Sequence, residues 1–203
     1  METLNPPPLT DAEINTAIQK GIKDETGKIF IKQAGVHLYD KWRETGAVSD
    51  KTGTQTAGFY VDLYTPAAWI EYQAVLAHRK MMNFTLAVVT PEMRREVVRV
   101  IAHPDMPRQV SARGMSGASN VDHVVLQDSD KKVVIQPKSE IPLDQVAQSA
   151  LSAPITMHGQ TAEFSIEDFR SVRGADGQGE FYITVIGDTK KDFKVKSMDF
   201  AKL

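Results

Sequence analysis

Past residue 108 the chain is written almost entirely in strand-sized pieces. VDHVVLQ, KKVVIQP, AEFSIEDF, EFYITVIG and DFKVKSMDF follow one another, each short, rich in branched and aromatic residues, and bounded by turn formers. DSDK separates the first two and DTKK the last two, both of them hairpin signals. In DFKVKS, Phe193 and Val195 alternate with Lys194 and Lys196, which gives one buried and one wet face. Short alternating strands joined by tight turns build an antiparallel sandwich or an open barrel. Only Ile141 to Ala153 shows no clear period.

The first half reads differently. Residues 1–9 carry three consecutive prolines and form a flexible tail. Thr10-Asp11-Ala12-Glu13 is a capping box, in which Thr10 caps the amide three residues on and Glu13 reaches back. Ile14, Ala17, Ile18 and Ile22 then recur at helical spacing. In GKIFIKQAGVHLYDKW, Phe30, Ala34, Leu38 and Trp42 recur every four residues and predict a second helix, against a competing strand around Ile29–Ile31. Thr45 to Gly58 is a long polar loop. FYVDLY predicts a strand, and Thr65-Pro66 the cap and first residue of a helix bearing Trp69, Tyr72 and Leu76. Thr90-Pro91 opens a helical turn, after which Val97, Val98, Val100 and Ile101 favour extended backbone. The expectation is therefore an α+β chain: tail 1–9, a mixed helical region 10–95 with one strand, and a β-rich region 96–203. These form either two lobes or one continuous fold.

Composition narrows the function classes. With 203 residues, 41% hydrophobic and 25% charged, the chain can bury a core without staples. Net charge is −2, and the two halves cut at Thr90 are both slightly acidic. Nucleic-acid binding, which rests on basic excess, is not expected. Nor is a polybasic anchor. The chain has no cysteine, so disulfides, thiol catalysis and cysteine-ligated zinc are excluded. No apolar run reaches the roughly 18 residues of a membrane-spanning helix. The polar start METLNPPPLT reads as the tether of an exported chain at the cell envelope, and equally as a cytosolic terminus.

Candidate sites are sparse. His103-Pro104-Asp105 matches the tripeptide by which a J-domain addresses its Hsp70 partner. That family places it after a long helix, whereas Val98 to Ala102 are poor helix formers and a Gly- and Ser-rich loop follows. The segment reads instead as a strand ending in a turn, stiffened by Pro104. No two histidines have the spacing that sets two ligands on one helical turn. If a metal binds, the expected ligands are His103, Asp105 and His123, drawn from two successive strands. Ser116 in RGMSGAS misses the nucleophile-elbow pattern by one position, and no phosphate loop is present. Asp128 and Asp130 belong to a hairpin turn, without the glycine and glutamate of a calcium loop. Trp42, Phe59, Tyr60, Tyr64, Trp69 and Tyr72 could line a sugar or peptide groove, and at this spacing are expected to be core. No catalytic residue is assigned and no cofactor is expected. The function expected is a non-catalytic binding or structural module for an unknown protein or small-molecule ligand, with a metal-assisted hydrolase at His103, Asp105 and His123 as the alternative.

Overall fold

The computed structural model describes residues 9–25, 36–39, 58–105, 120–149, 152–174, 179–187 and 189–196. The elements run α1 (Asp11–Glu25), β1 (Val36–Tyr39), β2 (Gly58–Tyr64), α2 (Pro66–Arg79), a 3₁₀ turn (Leu86–Val88), β3 (Val97–Asp105), β4 (Val121–Asp128), β5 (Val134–Ile135), β6 (Ser139–Ser149), β7 (Ser152–Ser165), α3 (Ile166–Val172), β8 (Phe181–Gly187) and β9 (Lys190–Val195). Two antiparallel sheets form, ordered β1-β2-β3-β7-β6 and β5-β4-β8-β9. The fold is α+β with a β-rich C-terminal part.

Alternation sets the layers. Phe59, Val61 and Leu63 of β2, Val98, Val100 and Ala102 of β3, and Ala162 and Phe164 of β7 point to one side of the larger sheet. They meet Val124, Leu126, Phe181, Ile183, Val185, Phe193 and Val195 of the smaller sheet in a single apolar core. The sheets therefore pack face to face as a sandwich. α3 closes one end, with Phe169 in edge-on contact with Phe164 and Phe181. The opposite face of the larger sheet carries Tyr64 and Ile101, against which Ala68, Trp69 and Tyr72 of α2 pack. α1 lies on α2 through Ile14, Ala17, Ile18, Ile70 and Ala74. β2, from the mixed region, is flanked by β1 and β3, so one sheet spans the boundary at residue 95. No described helix is long and apolar enough to cross a membrane.

The caps follow the sequence. Glu13 accepts from the Thr10 amide and hydroxyl, both at 2.8 Å. Thr65 caps α2 through the Ala68 amide, with Pro66 leading the helix. The sequence reading fails at three places. Val36–Tyr39 is a strand and not helix, since pairing with β2 outweighs the four-residue period. AEFSIEDF is strand only to Ser165. Ser165 and Asp168 then form a reciprocal capping box that starts α3. The stretch lacking a period belongs to β6 and β7, which pair from Ser139↔Glu163 to Ser149↔Ser152. Residues 1–8 of the tail, Ile29, Phe30, Ile31, Ala34 and Trp42 of the expected second element, the polar loop before Gly58, and the RGMSGAS segment lie outside the described residues.

Candidate functional site

The larger sheet buries charge on its helix-facing side. β3 offers Arg99, Ile101 and His103 to that face, β2 offers Tyr60, Asp62 and Tyr64, and β7 offers Thr161 and Glu163. Register brings them together, because Arg99 stands between Tyr64 and Glu163, and His103 stands across from Tyr60. Asp62, Arg99, His103 and Glu163 are all buried.

Glu163 is the hub of one group. Its Oε1 takes Arg95 Nη2 at 2.8 Å and lies 3.2 Å from Arg99 Nε, while its Oε2 accepts the Ser139 hydroxyl at 2.8 Å. Arg99 Nη2 donates to the Glu92 carbonyl at 2.8 Å. Its guanidinium sits 5.1 Å from the centre of the Trp69 ring, a cation–π contact that roofs the pair. Burial pulls the Arg99 pKa down and the charge of Glu163 pulls it back up. The result is one network joining β3, β7, β6, α2 and the turn before β3.

His103 centres the second group. Its Nε2 lies 3.2 Å from Asp62 Oδ2, and its ring stacks on Tyr60 at 4.3 Å and 6°. Tyr72 of α2 stands close enough to feel this carboxylate. Burial first, and Asp62 second, raise its hydroxyl pKa, with Arg79 opposing. His37 of β1 is the register partner of Asp62.

The other expected ligand is elsewhere. His123 lies on β4 of the smaller sheet, where its Nδ1 is 3.0 Å from Glu140 Oε2. The other oxygen of Glu140 accepts the Val124 amide, also at 3.0 Å. β5 pairs with β4 only at Leu126 and Gln127, so a side chain from β6 serves the β4 backbone where β5 has ended. His103 and His123 thus stand on different sheets and engage different carboxylates, and Asp105 ends β3. Among the described residues no group of three or more His, Asp or Glu side chains could hold a metal ion. The tripeptide itself is strand, with Phe59↔Pro104 and Gly58↔Asp105 in register, and does not sit at a helix tip.

Asp128, Asp130, Glu167 and Glu180 are framework. Asp128 Oδ1 accepts the Lys132 and Val133 amides of its own turn at 2.7 and 3.1 Å. Asp130 meets Lys132. Glu167 pairs with Arg170 on the exposed side of α3, and Glu180 with Lys194 across β8 and β9. Phe59 is inter-sheet core, while Tyr64, Trp69 and Tyr72 form one aromatic cluster. Sequence reasoning missed Asp62, Arg99 and Glu163. Their signal was a charge standing alone on one parity of an apolar strand. No family model, curated protein or solved structure matches this chain.

Proposed function

We propose that the chain is a non-catalytic binding or structural module. One observation carries the reading: the buried ionisable groups hold the fold's layers together. Glu163 takes three donors from three places in the chain, Arg99 ties β3 to the turn before it, and His103 is wedged between Asp62 and Tyr60. A reaction centre leaves charge facing substrate; here these charges sit under α2 and between strands. Buried charge paired in this way fixes which surfaces meet.

The test compares wild type with His103→Gln by elemental analysis and urea unfolding. The expected outcome is no stoichiometric transition metal in either protein and a loss of about 1–3 kcal/mol in the variant, from the disturbed Asp62 contact and ring stack. A stoichiometric metal in wild type that disappears in His103→Gln would overturn the proposal.

A further inference from the structure

We propose that the C-terminal tip of α2, Met81 and Met82 flanked by His78, Arg79 and Lys80, is an insertion point for an anionic lipid surface. The inference deepens the binding-module reading and rests on it.

The tip has an unusual composition for its geometry. α2 closes with Met81 N–H on the His78 carbonyl at 2.8 Å and Met82 N–H on the Ala77 carbonyl at 2.9 Å. Met81 has φ 55. This left-handed closure is ordinarily made by glycine, or by asparagine. A long apolar side chain occupies the position instead, against its backbone preference. Such a misfit, where it is observed, points toward a role.

Both side chains stay out of a core that is within reach. Met81 is 98% and Met82 60% exposed. Phe84 and Leu86, the next apolar residues along the chain, turn back onto the α1–α2 core. Val88, in the 3₁₀ turn that follows, is also exposed. Two neighbouring methionines in water form a small apolar point, and the basic residues beside it set it apart from scattered exposed apolar side chains.

The flanking charges name the partner's chemistry. Arg79 and Lys80, the two cations, are exposed in the last turn of α2 and at its cap, with His78 exposed beside them. Anionic headgroups attract Lys and Arg near the surface, while apolar side chains sink a few ångströms past them. Two cations are fewer than a polybasic anchor uses, so the methionines must supply the rest and the attachment is reversible. A protein interface of ordinary size needs about 800 Å² of matched surface per partner. Two flexible thioether chains offer little of that, but a bilayer requires no shape match.

The experiment is co-sedimentation of the full chain with vesicles of phosphatidylcholine and phosphatidylglycerol in equal parts, and with phosphatidylcholine alone. The wild-type chain is expected to bind the anionic vesicles and to release as salt shortens the Debye length. Met81→Gly with Met82→Ser should lower binding on the order of tenfold, as expected for withdrawn methionine burial. Lys80→Glu should lower it about fivefold or more. Because glycine suits the left-handed position, the Met81→Gly chain melts no lower than wild type, which separates lost binding from lost folding. Wild type left in the supernatant overturns the inference, as does a double variant that binds like wild type. Either result leaves the metal and unfolding outcomes for His103 untouched, so the two proposals fail separately.

Discussion

Glu163→Gln puts the buried network to its hardest test. The substitution keeps the shape and one acceptor but deletes the carboxylate that pairs with both Arg95 and Arg99. Arg95 is half-exposed and can turn to water. Arg99 cannot, because its side chain is 5% exposed and is pinned between Trp69 and the Glu92 carbonyl. The variant therefore strands a guanidinium in the interior, and breaking a buried pair from one side destabilises by about 3–5 kcal/mol. Arg99→Met is milder, at about 1–3 kcal/mol, since Glu163 keeps Arg95 and the Ser139 hydroxyl. Total stability for a domain of this kind is about 5–15 kcal/mol, so both variants should fold and yield urea curves. The order of the two losses is the diagnostic. If Glu163→Gln costs under about 1 kcal/mol, or if Arg99→Met proves the more damaging, the pairing is not organised around Glu163 and the reasoning fails.

Two further outcomes follow from local geometry. A methyl group at Gly21 would lie 2.5 Å from the Glu71 backbone carbonyl and 3.0 Å from Ala74 Cβ. Alanine is the better helix former by about 1 kcal/mol, but separating α1 from α2 costs about 1–3 kcal/mol. Gly21→Ala should therefore lower the melting temperature, and a variant as stable as wild type would show that the two helices do not touch this closely. His123 is raised from 6.5, by its hydrogen bond to Glu140 first and by the charge of that carboxylate second. A histidine raised on folding adds stability that is fully present below the unfolded value and fades as pH rises through the folded one. The NMR midpoint of His123 should lie above the ordinary histidine value and fall in Glu140→Gln; equal midpoints in the two proteins would remove the contact.

The fold was legible where local chemistry and tertiary pairing agree. Thr10 and Glu13, Thr65 and Pro66, and the alternation of Phe193 and Val195 with lysines specify their elements without help from the rest of the chain. Reading failed where the partner decides. Val36–Tyr39 carries a helical period but lies along β2. The capping box of Ser165 and Asp168 could be read in the sequence, yet the apolar run of AEFSIEDF hid it. The long β6–β7 hairpin draws its order from its partner strands, so its own sequence shows little period. The candidate site was legible only as single residues. His103 stood out because of its tripeptide, but its contacts with Asp62 and Tyr60 depend on a strand some forty positions earlier. Arg99 and Glu163 are equally remote from one another until β3 and β7 pair.

That pairing suggests why charge is kept inside at all. From Val97 to Ala102 the third strand reads Val-Val-Arg-Val-Ile-Ala, and Arg99 is its single polar residue. Without it, the two faces of this six-residue stretch would be nearly equivalent, and only His103 further along would tell them apart. A strand shifted by one position turns every side chain to the other face. In the native sequence such a shift drives Arg99 into the apolar layer between the sheets and away from Glu163, which is prohibitive. The ion pair thus marks which side of β3 faces the helices. Replacing both partners, Arg99→Met with Glu163→Leu, removes the mark without stranding a charge. Paired buried ions exchanged for packed apolar groups often leave stability unchanged or higher. The double variant should therefore unfold within about 1 kcal/mol of wild type, far better than Glu163→Gln alone. Its β3 amides should nevertheless exchange faster with deuterium, and their NMR signals should broaden or double as alternative registers become populated. If the double variant keeps one sharp set of signals with native protection in β3, then Arg99 and Glu163 do not set the register, and the alternation of the neighbouring strands is sufficient.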